Sequence, residues 1–536
     1  MKRILAVLFL FFMAMAAVQC GRRGTPSGGI KDIIPPKLIK ADPPNLSTNF
    51  KATKFRLYFD EYIKLEKITD QLIISPPLKN TPEITPQTGA RKYIEVIIKD
   101  TLAPNTTYTF NFGESIVDNN EGNPNRFLTY VFSTGDYIDS LSLTGVIKDG
   151  FNRKADEFVS VMLYEIDSAY TDSTIYKKPP NYITNTLDSN IIFKLNYLKA
   201  GKYALAALKD EAKNHIFDQK VDKIGFVTDT ITLPTDSTYL LTMFLEEPNY
   251  SISVPSIAAK NRILFGYQGK REDIAIETLS VLPDTVQTTI TKEREKDSLN
   301  YWFTPFEFDS IVFTVTNEKL NIRDTFTVRN RKLPLDTLTI GPNLKGTVDF
   351  TSPFQIVANT PLVTIDTSKI SMMTKDSIPQ KLAIVLDSVK NKIDVGFTRE
   401  PNQAYKLELL PGAITDFFGT QNDTLNYVVN TGSYVDYGNL RLNLSGNVVF
   451  PLIAQLTDEK GTVLREQYLT ELKMLEFNYL KPAKYQVRVI YDTNENGKWD
   501  TGNYLKKIQP EKVGHYPDII EIRANWEQEY TFILLE

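Results

Sequence analysis

The sequence predicts an all-β chain divided into several sandwiches, on three observations. Apolar and polar residues alternate in short runs, turn-forming residues punctuate those runs at regular spacing, and one long stretch occurs twice. Residues 193–218 (FKLNYLKAGKYALAALKDEAKNHIFD) align without a gap with residues 475–500 (LEFNYLKPAKYQVRVIYDTNENGKWD). The alignment pairs Asn196 with Asn478, Tyr197 with Tyr479, Tyr203 with Tyr485, Asp210 with Asp492 and Asp218 with Asp500. Self-similarity on this scale marks a duplicated module. A chain of 536 residues is also too long for one core, and about 100–150 residues per domain suggests four or five.

The elements follow in order. In residues 37–136, Phe55, Leu57 and Phe59 alternate with Arg56 and Tyr58, as do Ile94, Val96 and Ile98, and Tyr108, Phe110 and Phe112 with their neighbours. This period of two is that of a half-buried strand. Pro76-Pro77, Ala103-Pro104-Asn105 and the run from Asp118 to Pro124 supply turns. Residues 137–247 form a second β-rich module with strands near Leu143–Ile147, Val159–Glu165, Lys202–Leu208 and Tyr239–Leu245. Residues 250–340 are again strand-like and match neither neighbour. Residues 341–434 return to the first pattern: Pro401-Asn402, Tyr405, Asp416 and Thr431-Gly432 lie over Pro104-Asn105, Tyr108, Asp118 and Thr134-Gly135. Residues 435–536 repeat the second module. The order is A-B-C-A′-B′, with the A-B pair duplicated.

The stretches DPPNLSTNF (42–50), FRLYFDEYIK (55–64), LAPNTTYTFNFGESIVDNNEGNP (102–124) and YVFSTG (130–135) resemble SbsA-type bacterial Ig-like domains. That resemblance implies an Ig-like sandwich used as a spacer or binding module, without catalytic residues of its own. YLKAGKYALAALKD is similar to the late hairpin of prealbumin-like sandwiches of surface proteins. The fold expected is therefore a multi-domain array of Ig-like and prealbumin-like β-sandwiches.

Lys2 and Arg3 precede an apolar run from Ile4 to Val18, which reads as a secretory signal over residues 1–19. The run is short for a membrane span, which needs roughly 20 residues. Cys20, the one cysteine, sits where the run ends, and its placement resembles the lipobox of bacterial lipoproteins. In that family the cysteine is lipidated at its thiol and becomes the first residue after cleavage. Ala16, Ala17 and Val18 suit the pattern, while Gln19 departs from the usual small residue. A lone thiol in an oxidising compartment is a liability that acylation removes. Residues 20–36 read as a tether ending in a stiff Pro-Pro. No acidic cluster follows Cys20, which favours an outer-membrane anchor facing the periplasm.

Composition excludes several function classes. Formal net charge is −4 and no basic block or aromatic-basic platform occurs, so nucleic acid is not an expected partner. With His215 and His515 the only histidines, a histidine-ligated metal site or a Ser-His-Asp triad has little to draw on. No phosphate loop, metalloprotease helix or nucleophile elbow is found. Asp60-Glu61 does not read as a catalytic pair, because neighbours in a strand point to opposite faces.

The sharpest local constellation runs from Asp492 to Asp500. Asp492, Asn494 and Asn496 place oxygen side chains at positions one, three and five, Gly497 follows at six, Lys498 offers a carbonyl at seven and Asp500 stands at nine. This is the first half of an EF-hand-type calcium loop, in which alternate side chains converge on one centre. Position twelve is Asn503 instead of a bidentate Glu, so affinity would be reduced. The competing reading is a hairpin loop rich in Asx turns. In the other copy, Ala212 holds position three and His215 position six. No cofactor is required, and the calcium expected here is structural. Asp118, Asn120, Glu121 and Asn123, with Asp416 and Asp423, read as solvated turn residues. Trp302, Trp499 and Trp526 are aromatics that could stack on sugar or serve as packing.

These observations predict a non-enzymatic, lipid-anchored envelope protein acting as a scaffold or interaction module, with an envelope protein or a glycan as partner. A polysaccharide-binding lipoprotein of a nutrient-uptake system is the alternative and needs an exposed aromatic platform. A hydrolase would need converging carboxylates in residues 250–340, and none are visible.

Overall fold

The computed structural model describes residues 31–126, 128–186, 191–269, 274–294 and 296–535. The apolar run and Cys20 lie outside the described residues. The chain is all-β and multi-domain, and its strands form a series of separate small sheets. Alternation dictates the first of them: along Lys54–Leu65 the side chains of Phe55, Leu57, Phe59 and Ile63 are buried while the residues between them are not. Phe55 stacks on Tyr130 with centroids 4.1 Å apart, joining the sheet of Lys54–Leu65 to that of Thr107–Asn111 and Thr129–Ser133. Further cores gather around Tyr203 and Phe193, Phe265 and Phe313, Tyr405 and Phe354, and Val487 and Phe477.

The sequence pairing recurs at atomic level. The Tyr108 hydroxyl accepts from the Ala103 N–H at 2.9 Å, and the Tyr405 hydroxyl from the Glu400 N–H at 2.6 Å. Thr134 and Thr431 each accept at Oγ1, from the N–H of Thr106 and of Gln403, at 3.0 Å. Asn105 and Asn402 both take left-handed φ, 49° and 54°, a conformation asparagine tolerates better than most residues.

The other pair agrees equally well. Leu141–Asp149 runs antiparallel to Ile192–Leu198 and parallel to Thr238–Leu245. Gly438–Gly446 does the same with Leu475–Leu480 and Glu527–Leu534. Tyr203 donates its hydroxyl hydrogen to the Lys199 carbonyl at 3.1 Å, and Tyr485 to that of Lys481 at 2.8 Å.

Neighbouring units touch along the chain. The Ser75 hydroxyl accepts the Ile183 N–H at 3.0 Å, Lys292 N–H donates to the Val389 carbonyl at 2.9 Å, and Arg465 pairs with Asp349 at 3.6 Å. The chain then returns on itself. Tyr504 and Trp499, near its end, pack into a core cluster otherwise built from Met162, Tyr164, Ile175, Ala206, Phe226, Phe244 and their neighbours.

Candidate cation loop and the docking arm

The loop at 492–500 grows from the strand Ala483–Tyr491, whose buried residues fix where Asp492 emerges. Asp492 is 1% exposed. Its carboxylate accepts the backbone N–H groups of Asn496 at 3.0 Å and Gly497 at 2.8 Å, closing the turn. Gly497 carries a φ of +72°, which costs glycine little. The amides of Asn494 and Asn496 both donate to Asp500 at 2.5 Å. The structure thus brings Asp492, Asn494, Asn496 and Asp500 into one knot, with Lys498 on the turn between them.

The equivalent loop takes the same path without the ligand set. Asp210 accepts from Asn214 N–H at 3.3 Å and His215 N–H at 2.6 Å. Lys213 and His215 have φ of 54° and 57°, against 62° and 72° for Glu495 and Gly497. Burial alone would raise the Asp210 carboxyl, but hydrogen bonds from the His215 side chain and backbone outweigh it and hold it below its ordinary value. The turn is therefore an Asx device common to both copies. What separates them is chemistry: oxygen side chains at positions three and five and a carboxylate at nine suit a hard cation. Asn503, at position twelve, uses its side-chain oxygen on the Lys506 N–H instead. Among the described residues, no three His, Cys, Asp or Glu side chains gather as a metal site. The loop offers two carboxylates, two amides and a carbonyl, a weak oxygen set.

Glu511, which local sequence pattern did not single out, clamps the loop from outside. Its carboxylate accepts from Thr493 N–H at 2.7 Å, Thr493 Oγ1 at 2.8 Å and Asp500 N–H at 3.0 Å. Between Asp500 and Glu511 the chain forms an arm that docks on the second module. Trp499 lies 4.6 Å from the Phe151 ring, and its indole N–H donates to the Glu511 carbonyl at 3.0 Å. Tyr504 is 4% exposed and its backbone N–H donates to the buried Glu246 carboxylate. Burial raises Glu246 above the usual carboxylate range, partly offset by that N–H and by the Gln219 amide. Gln509 donates to the Phe226 carbonyl at 3.0 Å, and Lys507 pairs with Asp172 at 2.7 Å.

The second acidic loop differs from expectation. Asp118 and Asp416 are 2% and 3% exposed, whereas solvated residues were expected at both positions. Asp118 turns inward because its carboxylate accepts the backbone N–H groups of Asn120, Glu121, Gly122 and Asn123, at 2.6–3.1 Å. Asp416 likewise accepts from Phe418 N–H, Thr420 N–H and Thr360 Oγ1. Asn120, Glu121 and Asp423 are exposed. Of the tryptophans, Trp302 is buried with its N–H on Thr291 at 2.8 Å, and Trp526 is 52% exposed beneath Arg523. A different aromatic group, Phe350, Tyr434 and Tyr479, has centroids 4.7–5.3 Å apart beside a cavity of about 420 Å³.

Fold and site together define a multi-domain all-β array containing Ig-like sandwiches. Within it, residues 32–134 match the bacterial Ig-like domain family. Curated protein sequences give no match to the chain. Among solved structures, the chain is similar to surface layer protein SbsC, domains 1-6, at 12% identity and TM-score 0.14, covering 86% of this chain and 66% of that one. It thus spans just under two thirds of that structure's length. BcpA, the major pilin subunit of Bacillus cereus, is similar at 12% identity and TM-score 0.15, covering 74% of this chain and 99% of that one. SGBP-B of the Bacteroides ovatus mixed-linkage glucan utilization locus, in complex with a mixed-linkage heptasaccharide, is similar at 9% identity and TM-score 0.16, covering 83% and 99%.

Proposed function

We propose that this protein is a non-catalytic, lipid-anchored component of the bacterial cell envelope, acting as a scaffold or interaction module. The observation that carries the reading is the docking of the 499–511 arm onto the second module. It gives a duplicated array a fixed long-range contact, a feature useful to a scaffold and needed by no chemistry. Cys20 is the anchor, with signal 1–19 removed, tether 20–36 and modules at 37–136, 137–247, 250–340, 341–434 and 435–536. The outer membrane is the membrane, with the array facing the periplasm. An envelope protein is the partner.

Metabolic labelling with a palmitate analogue tests the anchor: the chain takes up label and fractionates with membranes, while Cys20→Ser does neither. A Cys20→Ser protein that stays in the membrane fraction would overturn it. Protease treatment of intact cells then decides leaflet, since a periplasmic array is cut only after the outer membrane is opened.

A structural calcium ion at Asp492, Asn494, Asn496, Asp500 and the Lys498 carbonyl belongs to the same reading. Bound there, it would neutralise the two carboxylates and stiffen the root of the docking arm. Thermal unfolding of the chain with calcium and with chelator tests this, and equal midpoints would remove the ion from the account. The second reading, glycan binding, rests on Phe350, Tyr434 and Tyr479, whose rings offer the stacking surface that sugars use. A glycan array with wild type and Tyr434→Ala tests it, and equal signals from the two would exclude that cleft.

A further inference from the structure

One rung of side chains crosses the outer face of the sheet in each copy of the duplicated module, and its chemistry is inverted between them. In the second module the rung reads Ile183, Met162, Ala206 and Phe226, paired strand to strand. All four are buried, in the cluster that Tyr504 completes. In the last module the equivalent rung reads Glu466, Gln455, Arg488 and His515. The alignment places Arg488 where the sister copy has Ala206.

These polar residues form an incomplete chain. The Gln455 amide donates to Glu466 at 2.6 Å, and Arg488 Nε donates to the Gln455 oxygen at 2.6 Å. Arg488 is only 5% exposed and its guanidinium lies 3.9 Å from the Phe151 centroid. No carboxylate stands within ion-pair distance of it among the described residues, and its Nη groups have no hydrogen-bond partner there. His515 Nε2 is buried without a partner. A buried cation left unpaired costs several kcal/mol, and a position that accepts alanine in one copy has no packing need for arginine. The unused donors face a cleft of about 690 Å³ between the two modules. Its wall carries Arg488, Arg153, Lys154 and Lys460 with His515, against the single carboxylate of Glu459.

We propose that this cleft binds a phosphate-type oxyanion, free or as a phosphomonoester. The Arg488 Nη groups form the buried fork, and Arg153, Lys154 and Lys460 form the outer ring of charge. A guanidinium held 3.9 Å from an aromatic ring centroid is anchored by that ring, and its planar fork of donors suits the paired oxygens of an oxyanion. Four cations against Glu459 on the wall, and Glu466 behind Gln455, leave a net positive cleft that favours a multiply charged group over a carboxylate. The site stands independently of the anchor and of the calcium loop.

Isothermal titration of the full chain with inorganic phosphate and with glucose 1-phosphate tests this, with sodium chloride at matched ionic strength as control. Saturable binding of either phosphate species, absent with chloride, is expected, and the ratio of the two affinities separates free ion from ester. Arg488→Met should weaken binding at least tenfold while the protein stays folded, since an apolar residue suits that position in the sister copy. Lys154→Ala, at an exposed position, should weaken it several-fold. No saturable heat, or equal affinity in wild type and Arg488→Met, would overturn the proposal. A rise in melting temperature that persists in Arg488→Met would count against it too, because excluded salts stabilise any folded chain.

Discussion

Tyr504 of the docking arm meets Phe226 of the second module edge to face, with ring centroids 5.2 Å apart and planes at 88°. Lys507 lies 4.4 Å from the Tyr504 centroid and 5.8 Å from that of Phe226, so one cation serves both rings. Truncation removes an aromatic side chain from a packed cluster that mixes residues of both modules. Tyr504→Ala is expected to cost about 3–5 kcal/mol at this contact. Chemical denaturation should then resolve earlier loss of the interface from unfolding of the individual cores, and cross-linking between the arm and the second module should fall. An unchanged denaturation midpoint with unchanged cross-linking would show that the contact contributes nothing.

Strand positions in the first module were legible because its sheet strands are buried on one face. Phe55, Leu57 and Phe59 alternate with polar neighbours, and burial follows that alternation. The duplication was legible because Tyr203 and Tyr485 keep the same hydroxyl bond and so the same neighbours in sequence. Asp118 and Asp416 misled, because a carboxylate that gathers backbone N–H groups looks like any acidic turn until its neighbours fold around it. Glu511 and Arg488 could not be found from local pattern at all. Their partners, Thr493, Asp500, Gln455 and Phe151, come together only through loop closure, strand pairing and module docking.

Volume is exchanged across one strand pair between the two copies. Gly145 faces Phe193 in the second module, and the equivalent residues Leu442 and Leu475 face each other in the last. A Cβ on Gly145 would lie 2.3 Å from Phe193 Cζ and 2.4 Å from the Tyr239 carbonyl oxygen. Gly145→Leu alone should therefore destabilise by more than the 1–3 kcal/mol typical of overpacking. Phe193→Leu alone should cost about 1 kcal/mol or more through the space it leaves. The double variant recreates the sister pairing and should recover at least 1 kcal/mol relative to the sum. Additivity in urea denaturation would rule out the exchange.

Asp118 gives the fold an acid limit. Burial pushes its carboxyl up, but the backbone N–H groups of Asn123, Glu121, Gly122 and Asn120 outweigh burial and hold it below the ordinary value. A depressed folded-state value means that its stabilisation is complete above the unfolded value of about 3.9. It is lost as pH falls through the folded value. Asp118→Asn should cost about 1.5–3 kcal/mol at neutral pH, with the gap from wild type narrowing as pH falls below the unfolded value. Melting temperatures between pH 2 and 6 check this, and a gap that is constant across the range would exclude the carboxylate as its source.

His515 acts in a different window and with a different cause. Burial, followed by the charge of Arg488, pushes it down to about 4, against smaller opposing effects of the Phe151 backbone and Asp149 and a further lowering by Arg153. The unfolded chain takes up this proton near pH 6.5, while the folded chain refuses it until about 4. Between those values the unfolded state binds more protons, so stability falls as pH drops, by up to about 3 kcal/mol. His515→Phe installs the residue that the sister copy carries at Phe226 and removes the titration. In chloride buffers free of phosphate, its stability relative to wild type should climb as pH falls from 7 to 4.5, above the range where most carboxylates respond. Parallel profiles for the two proteins would mean that His515 is protonated as readily folded as unfolded, and that the second module does not desolvate it.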